Sequence, residues 1–272
     1  MMLNFVVKDV EKIKGTTIIR HFKLFLQITL LLNLAFSWGN TGHRTTGEVA
    51  EHFLTEKTKI EIQKILMNPS LAMASTWSDE MRSNPDFRKY NPWHYANMPL
   101  NQTYANSKKS SKGDIVQAIK LSKSKLKNDN ISLDEKAFYL RYLVHLIGDI
   151  HQPLHVGRGE DRGGNEIKVK WFGENSNLHR VWDTNMIDNY QMSYTELSSH
   201  LLTVFSEKDI KLLSEDEWVN ESQNKVKIIY NNVNNGDYLG YDYIYDNFDI
   251  VKQQLFKAGY RLAGTLNKIF DE

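Results

Sequence analysis

Apolar residues along most of the chain recur every three or four positions, and strict alternation is rare. This spacing is that of one face of an α-helix, so the pattern predicts a mainly helical protein. Gly113 precedes one predicted helix, and either Ser132 or Asp134 is placed to cap the next. The predicted helices cover residues 44–67, 71–82, 114–127, 133–151, 178–187, 195–206, 214–233 and 247–269.

One segment carries a β pattern. In residues 165–172, Ile167, Val169 and Trp171 alternate with polar residues after the turn-forming pair Gly163-Gly164. We therefore expect one small β-hairpin beside the helices.

Two segments are predicted to be loops: the polar stretch 101–112 and the tyrosine-rich stretch 234–246. The chain contains neither an internal repeat nor a linker rich in Pro, Gly or Ser. The fold class that follows is all-α, as a single domain that is mainly helical with one hairpin.

The amino-terminal residues are typical of a secretory signal peptide. Residues 24–37 form an apolar run shorter than the roughly 20 residues that cross a bilayer, and basic residues precede it. The run closes on Ala35-Phe36-Ser37, so cleavage would make residues 1–37 the signal peptide and residues 38–272 the mature domain, beginning at Trp38. An uncleaved membrane anchor is the alternative. We expect a secreted or periplasmic protein without stable membrane association.

Composition limits the chemistry. The 34 basic and 33 acidic residues nearly balance, and the leader holds five of the basic and two of the acidic ones. The mature chain is then slightly acidic, and any anionic substrate has to be held locally. The absence of cysteine excludes disulfide miniproteins, thiolate zinc sites and cysteine nucleophiles. A metal site would have to use His, Asp and Glu.

A histidine and an aspartate share one face of the helix predicted over 133–151. His145 and Asp149 are four residues apart, and their neighbours are apolar, so the pair is predicted to be interior. A buried ionised Asp is costly unless it is paired or coordinated. His155 follows Pro153, where the helix must have ended, and could turn toward a second ion.

The same spacing recurs at His179 and Asp183. Further candidates are Asp79, His94 and, near the predicted mature start, His43. Histidine and carboxylate ligands without thiolate suit a catalytic zinc site with open positions. These candidates are too many for one ion.

The arrangement of these residues resembles the zinc-dependent single-strand nucleases, the S-one/P-one nuclease family. The match runs over essentially the whole mature chain, from Trp38 to Ala263. The motifs that carry it are Trp38-Gly-x-x-Gly-His43, Trp77-Ser-Asp79-Glu-x-Arg82, Trp93-His94-Tyr95-x-Asn97, His145-x3-Asp149-x-His-Gln-Pro-Leu-His155, Gly163-Gly164-Asn165 and Asn177-Leu-His179-x-x-Trp182-Asp183.

The resemblance implies that family's fold, which is shared with zinc phospholipase C, and a cluster of three Zn²⁺ ions per chain. Asp79, His94, His145 and Asp149 match the first site; the amine and carbonyl of Trp38, with His43 and Asp149, match the neighbouring one. His155, His179 and Asp183 match a third, more open site.

The activity implied by the resemblance is hydrolysis of single-stranded DNA and RNA to 5′-phosphorylated products, together with 3′-nucleotidase activity. A zinc-activated water is the nucleophile. Flexible single strands can present a bent backbone to a recessed cluster, whereas a duplex must be deformed first. Asp79 and Asp149 are expected at the reaction centre, and the chain is expected to be a monomer.

Four positions outside the ligand set are assigned by the same resemblance. Arg82 matches a residue that pairs with the active-site carboxylate or phosphate; a surface salt bridge is the alternative. Tyr95 matches the aromatic on which a base stacks. Asn97 stands where some members have Asp, which leaves base preference open. Gly164 and Asn165 either shape the base pocket or form a plain hairpin turn.

Two other functions remain open from sequence alone. Zinc-dependent phospholipase C shares an amino-terminal Trp and the His-x3-Asp-x5-His spacing, but its first His lies further from the Trp and its last carboxylate is Glu. A non-catalytic exported zinc-binding protein is the second alternative.

Overall fold

The computed structural model describes residues 38–272, and the predicted signal peptide lies outside the described residues. Eleven α-helices occur in this part of the chain: α1 (Asn40–His52), α2 (Glu56–Leu66), α3 (Leu71–Ala74), α4 (Trp77–Glu80), α5 (Ile115–Leu126), α6 (Leu133–His151), α7 (Leu178–Arg180), α8 (Met186–Asn189), α9 (Tyr194–Val204), α10 (Glu215–Asn231) and α11 (Tyr241–Phe270). Short 3₁₀ segments cover Met81–Ser83, Pro85–His94, Pro153–Val156 and Glu207–Asp209, and Val181–Asn185 is a π-helical turn. The mainly helical prediction is confirmed.

The three strands form one small sheet. β1 (Lys168–Trp171) pairs antiparallel with β2 (Glu174–Asn177), which is the predicted hairpin. A third strand, β3 (Tyr238–Leu239), pairs in parallel with β1 on its other edge. It lies in the segment predicted to be a loop, and α11 begins two residues after it, so that prediction was wrong for most of its carboxyl-terminal half. Two-residue strands carry too little pattern to be read from sequence.

Two predicted helices are each interrupted. The segment 44–67 divides because Thr55 caps a new helix, its hydroxyl accepting a hydrogen bond from the Thr58 amide. The segment 71–82 divides at Ser75, whose carbonyl accepts a hydrogen bond from a side chain of α6. Of the two predicted caps of α6, the structure has Ser132, whose hydroxyl accepts a hydrogen bond from the Glu135 amide.

The carboxyl-terminal half of α6 is the centre of the core. From residue 142 to residue 151 every side chain is buried, including Leu143, Leu146, Ile147 and Ile150 at 0% exposure. Burial of each such side chain contributes about 1.5–3 kcal/mol. α6 packs against α5, α10 and α11, so any polar group on this half of the helix is held in a rigid, dry environment.

α1 and α11 approach each other closely. A Cβ on Gly259 of α11 would lie 2.5 Å from the Val49 side chain and 3.0 Å from the Thr46 carbonyl oxygen of α1. The contact holds α1, which carries His43, against the body of the domain. No helix among the described residues is both long and apolar enough to cross a membrane.

Candidate metal centre

His145 and Asp149 face each other from successive turns of α6. The His145 Nε2 lies 3.0 Å from Asp149 Oδ2, and both side chains are fully buried. The predicted interior pair is therefore where the spacing puts it. Asp149 also lies 2.9 Å from His94 Nδ1 and 3.2 Å from His43 Nε2. One carboxylate is shared by ring nitrogens from three segments of the chain.

The ligand atoms around Asp149 form two overlapping groups. Asp79, His94 and His145 make the first, with His94 Nδ1 3.0 Å from His145 Nε2 and Asp79 Oδ1 3.9 Å from it. His43, His145 and Asp149 make the second, and the rings of His43 and His145 stack with centroids 3.9 Å apart. Within each group all ligand atoms lie within 4.8 Å of one another, so each could hold a metal ion.

His155, His179 and Asp183 form a third group. His179 lies on α7 and Asp183 on the π-helical turn, and the His179 Nε2 is 3.1 Å from Asp183 Oδ2. His155 comes from the 3₁₀ turn after α6, with its Nε2 3.6 Å from Asp183 Oδ1. π-helical turns often occur at functional sites.

Backbone carbonyls fix three of the histidine rings. In each of these rings Nδ1–H donates a hydrogen bond to a backbone carbonyl oxygen. The pairs are His145 to Ser75 at 2.7 Å, His155 to His94 at 2.6 Å and His179 to Gly163 at 2.6 Å. A carbonyl oxygen can only accept, so Nδ1 carries the proton in each ring. Each Nε2 is left to offer a lone pair toward the centre, which is the arrangement found for histidine bound to metal.

The Nε2 lone pairs of these histidines therefore face carboxylate oxygens, and a cation bound between them would remove the repulsion. Asp183 Oδ2 and His155 Nε2 are buried and neither makes a hydrogen bond of good geometry with the described residues. Burial raises the pKa of Asp149, but His145 and His155 outweigh it and hold that pKa well below its ordinary value. Burial lowers the pKa of His94 to about 4. Burial lowers the pKa of His155, but Asp149 and Asp183 outweigh it and raise that pKa to about 9, so a Zn²⁺ ion bound there would replace the proton that the ring otherwise takes up.

Trp38 is anchored beside this centre. Its indole is fully buried and donates a hydrogen bond of 2.8 Å to the carbonyl of Gly148, the neighbour of Asp149. The next amide, of Gly39, donates to the Asp183 carbonyl at 2.7 Å. The residue predicted to begin the mature chain is thus held next to Asp149, and the residue after it is bonded to Asp183 of the third group.

Arg82 lies beside Asp79. Its Nη1 is 3.4 Å from Asp79 Oδ1, and its side chain is 19% exposed. The contact is an ion pair at the edge of the first metal group, and it is more enclosed than an ordinary surface salt bridge.

Tyr95 and Asn97 line a surface cavity of about 620 Å³. The Tyr95 side chain is 43% exposed. Residues 95–97 lie beside the segment that carries His155, because the Ala96 amide donates a hydrogen bond to the His155 carbonyl at 2.9 Å. An exposed aromatic therefore stands close to the metal groups.

The polar loop 101–112, predicted from sequence, forms much of the remaining wall of that cavity. Lys108, Lys109 and Lys112 of this loop all line the cavity, so three positive charges stand along this wall. Lys109 is itself held in place, with its ammonium 3.9 Å from the Tyr104 ring centroid.

Gly164 and Asn165 belong to a tight turn before β1. Gly163 and Gly164 have φ of +63° and +84°, and a Cβ on Gly163 would lie 2.3 Å from the Leu154 carbonyl oxygen. The backbone of this turn therefore requires glycine at residue 163. Because Gly163 also accepts the His179 bond, the same turn reaches the third metal group.

Sequence reasoning missed the groups that orient the ligands. The three carbonyls leave no trace in the sequence, because every residue has one. Gln152, whose amide donates to Asp183, lies inside the motif that ends at His155 and could have been found there. His151 is buried with its ring nitrogens bonded to Ile147 and Arg261, outside the metal groups among the described residues.

Comparison with known proteins agrees with this geometry. The family profile described as S1/P1 Nuclease matches residues 38–271. Endonuclease 4 of Arabidopsis thaliana is 33% identical, with 92% of this chain and 94% of the relative covered. Nuclease S1 of Aspergillus oryzae is 31% identical, covering 88% and 94%, and nuclease P1 of Penicillium citrinum is 29% identical, covering 85% and 97%.

Proposed function

Because the chain belongs to the S1/P1 nuclease family and is a nucleic-acid hydrolase, we propose that it cleaves single-stranded DNA and RNA to 5′-phosphorylated products. We further propose that the same site removes the phosphate of 3′-nucleotides, and that the protein acts as a secreted or periplasmic monomer after cleavage between Ser37 and Trp38. The observation that carries the proposal is the convergence of three buried His and Asp groups in one region of a single domain.

Three zinc ions are the cofactors we assign to these groups. Asp79, His94, His145 and Asp149 would hold the first ion, and His155, His179 and Asp183 the third. The second would be held by His43 and Asp149 with the amine and carbonyl of Trp38. Bound there, zinc would acidify a water molecule and offset the negative charge that develops on the phosphate and the departing oxygen.

The protein's own contribution is to fix the ligands before substrate arrives. Carbonyls of Ser75, His94 and Gly163 hold three rings in the tautomer that directs a lone pair inward. Asp149, at the junction of two groups, would bridge them. Arg82, 3.4 Å from Asp79, would orient that carboxylate or bind a phosphate oxygen.

Substrate selection follows from the cavity beside the centre. Tyr95 exposes a ring on which a base could stack, and stacking tolerates every base. Asn97 could donate and accept hydrogen bonds to a base edge. The turn at Gly164 and Asn165 would complete the pocket. A base within a duplex would first have to leave its stack, so single strands are preferred.

The test combines a zinc count with cleavage assays on the processed protein. Substrates are single-stranded DNA, RNA, the matching duplex, a 3′-nucleotide and phosphatidylcholine vesicles. We expect about three zincs per chain, chelator-sensitive cleavage of the single strands and the 3′-nucleotide, and 5′-phosphate on the products.

A matched pair of variants locates the chemistry. Asp183→Asn should lose one zinc and most of the activity, whereas Asp188→Asn, five residues later and outside the metal groups, should keep both. Hydrolysis of phosphatidylcholine alone would indicate a phospholipase, and zinc without either activity would indicate a binding protein. Either result would overturn the proposal.

A further inference from the structure

A buried carboxylate that holds no place in the metal groups lies behind the third of them. Asp161 is 7% exposed and accepts four hydrogen bonds. Oδ1 accepts from the Gly164 amide at 2.9 Å and the Tyr230 hydroxyl at 2.8 Å; Oδ2 accepts from Arg158 Nε at 2.9 Å and Nη2 at 2.5 Å. Its oxygens are therefore directed at the turn of residues 162–164 and at the elements around it.

The turn needs external support. Arg162, Gly163 and Gly164 have consecutive φ values of +55°, +63° and +84°, and Arg162 is in the left-handed region without the freedom of glycine. The strain lies at Arg162, while the two glycines adopt positive φ freely and for that reason do not fix the turn by themselves, so bonds from the surroundings must determine its conformation. Asp161 supplies a bond to the Gly164 amide, and the Arg158 carbonyl supplies another to the Gly163 amide at 2.9 Å.

The turn of residues 162–164 also positions the metal ligand His179. The Gly163 carbonyl lies between the two supported amides and accepts the 2.6 Å bond from His179 Nδ1. The Gly164 carbonyl accepts from the His179 backbone amide at 3.3 Å. Both the ring and the backbone of His179 are therefore held by the turn that Asp161 clamps.

Asp161 is itself fixed from α10. The Tyr230 hydroxyl donates to it, and the Arg158 guanidinium lies over the Tyr230 ring at 4.1 Å from the centroid. Burial, and then the neighbouring Asp161, raise the pKa of Tyr230, so the phenol keeps the proton that it donates. Asp161, Arg158 and Tyr230 together form a clamp that links Tyr230 of α10 to His179, a ligand about fifty residues earlier in the chain.

We infer that Asp161, held by Tyr230 and Arg158, is a positioning residue that sets the His179 ring at the third metal group. The inference rests on the proposed function, because it assigns a metal to that group. Outer partners that orient ligand histidines typically contribute 10–100-fold to metal affinity. The effect should fall on one ion and spare the two that share Asp149.

The experiment follows release of zinc from the intact processed protein to a chromophoric chelator. The release phase that Asp183→Asn removes is assigned to the third group. In Asp161→Asn, whose amide nitrogen cannot accept from Arg158, this phase should be at least about tenfold faster, with the others unchanged. Glu160→Gln is the matched control, since Glu160 lies 3.6 Å from Arg158 but is 75% exposed.

A second variant guards against loss of folding. Tyr230→Phe removes only a hydroxyl and should accelerate the same phase by a smaller factor. In the cobalt-substituted protein, both variants should alter the visible absorption that belongs to the third group. Wild-type release and spectra in both variants would refute the inference, as would equal acceleration of all phases, which indicates general destabilisation. Absence of nuclease activity in the wild type would instead count against the proposed function, while the release data would still test the clamp.

Discussion

Replacing His145 by Ala is the sharpest test of the metal centre. The residue belongs to two of the three groups, and its side chain is fully buried. Truncation removes a ligand of the proposed first ion and also the 3.0 Å partner that holds Asp149, the carboxylate that the proposed second ion shares. We expect the variant to lose two zincs per chain and to keep the ion held by His155, His179 and Asp183.

The magnitude follows from the contacts. Loss of the 2.7 Å bond to the Ser75 carbonyl leaves that buried oxygen unsatisfied, at a cost of about 1–3 kcal/mol. Each ion that binds only the folded protein adds about 2.7 kcal/mol when free zinc is 100 times its dissociation constant. Losing two ions would therefore lower the free energy of unfolding by about 5 kcal/mol more in zinc than in chelator.

The rate should fall more steeply than the stability. Metal ions that stabilise charge in the transition state contribute several kcal/mol, and 4 kcal/mol corresponds to about 10³-fold in rate. We therefore expect kcat/KM on single-stranded DNA to drop by at least about 10³-fold.

The assay measures urea unfolding with and without chelator, the zinc count, and cleavage of single-stranded DNA. His52→Ala is the control, because His52 is exposed on α1 and belongs to none of the metal groups. The reasoning fails if His145→Ala retains three zincs, or if its activity stays within tenfold of the wild type.

Three further predictions concern other parts of the molecule. An extra Gly before Trp38 should lower the zinc count by one and reduce kcat, and an unchanged count would show that the terminal amine is no ligand. Tyr95→Ala should raise KM for oligonucleotides by about 10-fold or more through lost stacking, while Tyr95→Phe should not; equal effects would exclude stacking. Burial, and then Arg261, hold the pKa of His151 well below its ordinary value, so below pH 6.5 only the unfolded chain takes up this proton. Urea unfolding should then show wild-type stability falling relative to His151→Gln by about 1.4 kcal/mol per pH unit below about 6.5, and parallel profiles would contradict this.

Residue spacing was sufficient to predict part of the centre. A separation of four in an apolar helix places His145 and Asp149 on one face, and the two side chains lie 3.0 Å apart. The pair His179 and Asp183 is likewise 3.1 Å apart, although the intervening backbone is a π-helical turn that the spacing did not predict. Local periodicity is enough where both ligands lie within about one turn of each other.

What brings separate segments together could not be read in this way. The helix predicted over 71–82 is broken because the Ser75 carbonyl serves His145, seventy residues later. The start of α11 at Tyr241 was missed because residues 241–246 are mostly Tyr and Asp and carry little apolar period. These features depend on tertiary contacts, which override local propensity.

The metal centre also bears on the stability of a chain without cysteine. Within one group the ligands are separated by up to about a hundred residues, as His43 and Asp149 are, and an ion bound there would cross-link these segments only in the folded state. Because closing such long loops carries a large entropy cost for the chain, the ions would stabilise the folded state as disulfides do in exported proteins. Ligand variants should then alter stability and catalysis together. Asp161, which reaches His179 only through a backbone carbonyl, offers a way to alter the geometry at one ion without removing a ligand.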